Sequence, residues 1–354
     1  MRCVAALAAS GLPRPFEPEA CTLDAVRYLT ARFPAARLRE VPLLRASELD
    51  AKADPTGQTR VWLALEALQV TGSFKVRGAL VALAAHRDRQ HVVAASAGNH
   101  GAGVAYAARV LGLSATVCVP RTAPQTKRAR IEKYGAELVV AASDQYDDAE
   151  DLAKEIAVTQ GSVFVSSYDD IDVVLGNGSS LGFEIVRALG GVPEHVLVPF
   201  GGGGLATGLS WALAAESRSG DDRRRVWGVQ SEAACAMARS IEQGRAVRRM
   251  CGSRPTLADG LTGGIAEDAF DRALAVIGGV VVASEAQIAT AMAHAYRDMG
   301  LVVEGSAATA LAPVLWGLPE PIRGGDVVVV LTGRNVDPTV LESVLQGSRE
   351  DSST

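Results

Sequence analysis

Short apolar runs alternate with stretches of helical spacing along most of this chain. Residues 92–95, 115–120, 136–140, 162–165, 196–200 and 327–331 are rich in Val and Ala and carry almost no charge. Runs of that length and continuity predict strands buried on both faces, as in a parallel sheet. Residues 103–108, 125–134 and 146–159 carry helical spacing instead. The alternation predicts an α/β protein built on parallel sheets. Internal repeats and low-complexity linkers are absent from the pattern. At the start, Arg2 followed by a short apolar stretch to Gly11 predicts an N-terminal arm or helix rather than a signal peptide. At the end, residues 345–354 run into Gly, Ser and acidic residues and are expected to fray.

Composition narrows the class of protein. The 354 residues, 48% of them hydrophobic, support a sizeable core and one or two domains. The net charge is −5 with no basic stripe, so nucleic acid is not an expected partner. No apolar run is long enough to span a membrane. Cys3, Cys21, Cys118, Cys235 and Cys251 show neither close pairing nor metal-ligand spacing, which suits buried thiols in a reducing cytoplasm.

Four segments carry candidate chemistry. The first is Thr71-Gly72-Ser73-Phe74-Lys75-Val76-Arg77-Gly78-Ala79. Ser73 reads as an N-cap, which places Lys75 at the start of a helix. The positive helix end and burial both disfavour an ammonium there and lower its pKa. Such a lysine serves as a Schiff-base former or a general base. The second is Ser96-Ala97-Gly98-Asn99-His100-Gly101, between a strand and a helix. It reads as a generic connection or as a loop that aims N–H groups and a helix dipole at an anion. The third is Gly201-Gly202-Gly203-Gly204, again between strand and helix. Without Cβ atoms its backbone can approach a phosphate. It lacks the Lys-Ser/Thr ending of a P-loop and the acidic residue of a dinucleotide site. In the fourth, the apolar run 327–331 delivers Thr332 at its C-terminal end, where open α/β sheets bind ligands.

Taken in order, these segments resemble the threonine dehydratase-like pyridoxal-phosphate enzymes of fold type II, the tryptophan synthase beta-subunit superfamily. The resemblance covers roughly residues 41–337. It implies two domains, each with a twisted, mostly parallel sheet flanked by helices. Residues 1–80 plus 175–354 would form the large cofactor-binding domain, and 81–174 a small mobile domain that closes on the substrate. The resemblance implies pyridoxal 5'-phosphate held by Lys75 as an internal aldimine, next to Phe74. Gly201, Gly202, Gly203 and Gly204 would cradle its phosphate, Asn99 would lie beside the ring oxygen, and Thr332 would partner the pyridine nitrogen. A hydroxyl cannot keep that nitrogen protonated as a carboxylate does, which favours elimination or replacement at Cβ over transamination. Ser96, Ala97, Gly98, Asn99 and His100 would grip the substrate carboxylate, with His100 structural rather than catalytic. Glu304 reads as a carboxylate near a helix N-terminus, and the family often has an acidic residue there near the ring. Segments 168–170 and 176–179 resemble a loop facing the substrate side chain. A small amino-acid substrate and a homodimer complete the expectation.

The chain also departs from its relatives. Ala97 stands where related serine racemases have a second Ser, and a methyl group cannot move a proton. Gln230 and Ala236 replace the carboxylates with which some relatives bind a divalent cation, and Glu232 alone reads as a surface group, so no metal is expected. Arg334 interrupts the family's Gly-Gly-Asn pattern; it reads as a solvated group or as one reaching an anionic substrate. The resulting expectation is an ammonia-lyase acting on a β-hydroxy amino acid by α,β-elimination. L-Threonine and L-serine are the default substrates, with β-hydroxyaspartate or an aryl-serine as further candidates. The alternative is a β-replacement synthase that makes a diamino or thioether amino acid, or a threonine synthase-like enzyme. A catalytically silent pyridoxal-phosphate-binding protein ranks behind both.

Overall fold

The computed structural model describes residues 1–5, 18–167, 169–218, 221, 224–248 and 255–350. Its strands, in chain order, are β1 (Arg2–Ala5), β2 (Leu43–Arg45), β3 (Thr59–Ala64), β4 (His91–Ala95), β5 (Ser114–Val119), β6 (Glu137–Val140), β7 (Val163–Phe164), β8 (His195–Pro199), β9 (Val226–Ser231), β10 (Gly279–Ala283) and β11 (Gly325–Val330). A seven-stranded sheet runs β1-β10-β9-β8-β11-β3-β2, and a four-stranded sheet runs β6-β5-β4-β7. The smaller sheet is wholly parallel. The larger is parallel from β10 to β3, with antiparallel β1 and β2 at its edges. This is the α/β architecture that the alternating pattern predicts. Val327, Val328, Val329 and Val330 of β11 are fully buried, because the strand lies inside the sheet and helices cover both faces.

Both ends differ from expectation. The N-terminal residues form β1, whose Arg2–Ala5 pairs with β10 in the register Cys3 to Val281. The edge of β10 offers these residues a row of backbone partners; residues 6–11 of the expected arm or helix lie outside the described residues. The C-terminal helix Pro338–Glu350 continues past Leu345, since Leu341, Val344 and Leu345 pack on the core of the larger sheet. Residues 351–354 lie outside the described residues.

The helix Lys75–Ala85 sits between the two sheets. Val76, Ala79 and Leu80 join the core that contains Val92 and Ala94 of β4 and Val104 of the helix Asn99–Leu111. Its other side meets residues 171–189, which are helical throughout: Ile171–Val174, a π-helical turn Leu175–Ser179, then Ser180–Leu189. The loop expected at 176–179 is therefore a continuous helical segment. Backbone contact explains it. A Cβ on Gly176 would lie 2.6 Å from the Gly78 Cα and 2.7 Å from the Arg77 carbonyl oxygen, so the glycines serve a close helix crossing. Tyr168 of the neighbouring expected loop lies outside the described residues.

Arg77 anchors the helix. Its side chain is fully buried between two buried carboxylates. Nε and Nη2 donate to Glu66 at 2.9 and 2.8 Å, while Nη1 and Nη2 donate to Glu184 at 3.0 and 2.6 Å. The Ser180 hydroxyl and the Arg39 carbonyl accept further bonds from the same guanidinium. The second Glu184 oxygen also accepts the Val41 N–H at 2.8 Å. Burial raises the Glu66 pKa against the opposing pull of Arg77, and the two carboxylates hold the guanidinium well above its usual range.

Breaking this cluster from the cationic side leaves two buried carboxylates without a counter-charge. Arg77→Met is expected to destabilise the protein by about 3–5 kcal/mol. Arg77→Lys should also be destabilising, because an ammonium cannot reproduce the forked contacts. Urea unfolding followed by circular dichroism measures both; wild-type stability in Arg77→Met would overturn the assignment of Arg77 as the anchor.

Candidate active site

The chain entering the Lys75–Ala85 helix is stitched to the end of β11. The Phe74 N–H donates to the Thr332 carbonyl at 3.1 Å and the Arg334 N–H to the Gly72 carbonyl at 2.9 Å, with a bridge between Ser73 and Gly333. Ser73 is thereby committed to the strand end and does not cap the helix as expected. The N-cap is Phe74, which makes no side-chain capping bond. The Ser73 hydroxyl is buried without a partner among the described residues. This stitching fixes Lys75, the first helical residue, close to Thr332.

A cavity of about 370 Å³ opens between the two sheets, a volume suited to a small cofactor with its substrate. Phe74, Lys75, Gly201, Gly202, Gly203, Gly204, Glu304 and Thr332 line it from one side. Ser96, Ala97, Gly98, Asn99 and His100 line it from the other. The structure thus gathers all thirteen of these sequence-selected positions at one cavity.

The Lys75 amine donates to the Ser167 carbonyl at 3.0 Å and lies 5.3 Å from the centre of the Phe74 ring. No carboxylate pairs with it among the described residues, and desolvation lowers its pKa to about 8. At pH 7 the ammonium still predominates, with about one amine in ten free, far more than for an ordinary lysine. His100 is buried, its Nε2 lies 3.0 Å from the Val165 carbonyl, and burial beside Lys75 lowers its pKa to about 3. It is neutral at any physiological pH. The Ser96 hydroxyl accepts the Gly98 N–H at 3.1 Å, which tightens the turn before the Asn99–Leu111 helix.

Asn99 is held at both ends of its amide. Its Nδ2 donates to Glu304 Oε1 at 2.7 Å, and its Oδ1 accepts from Asn335 Nδ2 at 2.6 Å. Asn335 also donates from its backbone to Glu304 Oε2 at 3.2 Å and from its side chain to the Thr71 carbonyl at 3.0 Å. Burial of Glu304, with the Asp259 charge, raises its pKa to about 7 against these hydrogen bonds.

The glycine loop follows β8 and ends at the N-terminus of the helix Gly204–Glu216. Gly203 is its N-cap at φ +89°, a left-handed conformation that disfavours any side chain. Among the described residues, no backbone N–H of positions 201–204 donates to a protein acceptor. Together with the helix dipole, these free donors suit a phosphate. The Thr332 hydroxyl, likewise without a protein partner among the described residues, suits a ring nitrogen, and the desolvated Lys75 amine suits a carbonyl carbon. The residues present fit pyridoxal 5'-phosphate.

Other candidates fall elsewhere. Arg334 is exposed. Gln230 commits its amide to the backbone, donating to the Phe200 carbonyl at 3.1 Å and accepting the Ala238 N–H at 3.0 Å. Several cavity residues had no role assigned from the sequence: Asn335, Ser306, Lys127, Arg130, Tyr146 and the segment 259–264. Asp259-Gly260-Leu261-Thr262-Gly263-Gly264 carries a readable signal, three glycines beside an acidic residue. Lys127 and Arg130 are three apart on one predicted helix and share its face.

The sequence profile of the pyridoxal-phosphate dependent enzymes matches residues 36–333, and the chain belongs to that family. It is 37% identical to the L-threonine ammonia-lyase of Thermotoga maritima over 80% of this chain and 69% of that one. It is 36% identical to the catabolic L-threonine dehydratase TdcB of Escherichia coli K12, over 78% and 83%. Among solved structures, the processed form of threonine deaminase isoform 2 from Solanum lycopersicum superposes with a TM-score of 0.78 at 26% identity, covering 98% of this chain and 98% of that one.

The raised Glu304 pKa has a thermodynamic signature. A carboxyl with a folded pKa of about 7 against about 4.5 unfolded imposes no penalty below pH 4.5. The penalty grows as pH rises through that window and is complete above 7. Glu304→Gln removes it, although the amide cannot accept both existing hydrogen bonds. The difference in melting temperature between the cofactor-free variant and wild type is expected to move in the variant's favour from pH 4.5 to 7 and level off above. A flat difference across that range would show that Glu304 titrates normally.

Proposed function

We propose that this chain is a pyridoxal-phosphate-dependent ammonia-lyase. It converts a β-hydroxy amino acid such as L-threonine or L-serine to a 2-oxo acid and ammonia. The observation that carries this reading is one cavity in which a desolvated Lys75 amine, without a carboxylate partner among the described residues, meets the backbone N–H groups of the glycine loop and the Thr332 hydroxyl. The threonine ammonia-lyase and dehydratase names of the relatives support it.

Lys75 would hold the cofactor, the glycines at 201–204 its phosphate, Thr332 its ring nitrogen, and Asn99 would lie beside the ring. When bound, the cofactor supplies an electron sink that acidifies the substrate Cα–H. The protein's part is positional and protonic. The 96–100 loop binds the substrate carboxylate at the start of the Asn99–Leu111 helix, where N–H groups and the helix dipole favour an anion. Glu304 and Asn335 act as positioning residues for Asn99. Lys75 Nζ takes the Cα proton as the Cα–Cβ double bond forms; the β-hydroxyl leaves with one proton taken up at its oxygen, so that Cα–H and hydroxyl together account for the water lost once Lys75 gives its proton up. Hydrolysis of the released enamine returns that water, so the amino acid equals oxo acid plus ammonia.

The division of labour follows the two sheets. Residues 1–80 plus 175–354 supply the cofactor contacts other than Asn99, and 81–174 form the smaller unit that carries Asn99 and the rest of the 96–100 loop. Closure of the smaller unit excludes water from the cavity. A reducing cytoplasm and a homodimer belong to the same reading; the thiols of Cys3, Cys118 and Cys235 are free, which fits that compartment. Cys251 lies outside the described residues.

Borohydride reduction is expected to fix the cofactor to Lys75, and Lys75→Ala to abolish turnover while the glycine loop still binds free cofactor. Peptide mass spectrometry that placed the adduct on another lysine would overturn the assignment. Ala97 bears on reaction choice. It lines the cavity with a methyl group, so its position offers no hydroxyl to carry a proton to the face opposite Lys75. General acid–base help of that kind is worth about 100- to 10,000-fold. L-Serine should therefore yield oxo acid with little D-serine, and Ala97→Ser should raise the racemised share. Chiral chromatography decides it: D-serine forming as fast as pyruvate in wild type would remove Ala97 from the explanation.

A further inference from the structure

The cavity wall holds a cation that the elimination itself does not use. The helix Gln125–Glu132 of the smaller sheet unit contributes Lys127 and Arg130 to the cavity lining. Two polar contacts tether it to the far side: Thr126 donates to Asp337 at 3.0 Å, and Lys127 pairs with Asp259 at 2.5 Å. Three residues on from Lys127, and so on the same face of the helix, Arg130 also lines the cavity. It is half-buried, and among the described residues it has neither an ion-pair partner nor a side-chain hydrogen bond.

The charges around the cavity show what is missing. Lys127 is neutralised by Asp259. Lys75 is tuned towards the free amine, and His100 is neutral. Glu304 already accepts from Asn99 and Asn335. Among the described residues that line the cavity, Arg130 alone presents a permanent charge without a counter-charge. A guanidinium held half out of water is favoured when a planar anion meets its fork of donors.

We propose that Arg130 is a specificity-determining residue that binds an anionic group on the substrate side chain, which makes an acidic β-hydroxy amino acid the preferred substrate class. This rests on the ammonia-lyase reading above. For 3-hydroxyaspartate the balanced reaction is hydroxyaspartate to oxaloacetate plus ammonia. The β-hydroxyl leaves as water and hydrolysis returns it, with no further reactant. The α-carboxylate occupies the 96–100 loop, and the second carboxylate lies towards Arg130.

The test uses the holoenzyme and two readouts. Steady-state kinetics compare both L-diastereomers of 3-hydroxyaspartate with L-serine and L-threonine, and calorimetry measures binding of L-aspartate against L-alanine. Wild type is expected to favour at least one hydroxyaspartate in kcat/KM and to bind aspartate more tightly than alanine. Arg130→Ala should lower both acidic-to-neutral ratios by roughly 10- to 100-fold, the range of a charge-assisted hydrogen bond. Arg130→Lys should restore part of the loss. If serine or threonine is turned over but Arg130→Ala leaves both ratios unchanged, this inference falls and the lyase reading stands. If no β-hydroxy amino acid yields oxo acid, the lyase reading falls as well. Thermal melts of both variants exclude a folding defect.

Discussion

A buried guanidinium between two buried carboxylates fixes the segment on which the site depends. Arg77 ties its own helix to Glu66, to Glu184 and to the Arg39 carbonyl at once. Taking these charges out of water costs several kcal/mol per ion, and the forked geometry offsets that only because nearly every donor finds an acceptor. The gain is positional. Two residues upstream on the same rigid helix start, Lys75 is placed without committing its own charge to a partner. The two cations have opposite fates: Arg77 stays charged under all conditions and is clamped, while Lys75 is unclamped and titrates near neutrality.

Around Lys75 the structure uses backbone rather than side chain for precision. The strand end carrying Thr332 is bonded directly to the turn that precedes Lys75. Glu304 likewise donates its N–H to the Gly333 carbonyl and accepts from Asn335 with its carboxylate. Asn99 comes from the opposite sheet unit and joins this cluster through side-chain hydrogen bonds. At the cavity the two units therefore meet through side-chain hydrogen bonds, while beneath it they share the buried apolar core that joins Val76 and Leu80 to Val92 and Val104.

Much of this was legible because it follows from local rules. The apolar runs become strands, fully buried in the centres of the sheets and partly exposed in β6 and β7, and glycines or small polar residues at strand ends become ligand loops; that covered the 96–101 segment, the 201–204 glycines and Thr332. The failures share one cause, tertiary partners that no local pattern encodes. Ser73 looks like a cap until Gly333 claims its backbone. Residues 176–179 look like a loop until two helices approach closely enough to require glycine. The first residues look like an arm until an open edge of β10 receives them. Arg130 drew no reading from the sequence, because the segment 259–264 that shares its cavity lies well over a hundred residues further along the chain.

The contrast between Arg77 and the tethers of the Gln125–Glu132 helix has a consequence for how the protein responds to its medium. The Lys127–Asp259 pair and the Thr126–Asp337 contact are exposed enough for dissolved ions to reach, and such attractions fade over a Debye length of about 8 Å at physiological ionic strength. The Arg77 cluster admits no ions at all. Added salt therefore weakens the attraction of Lys127 for Asp259 and leaves the Arg77 cluster unchanged. Ionic strength acts on that ion pair separately from the buried frame.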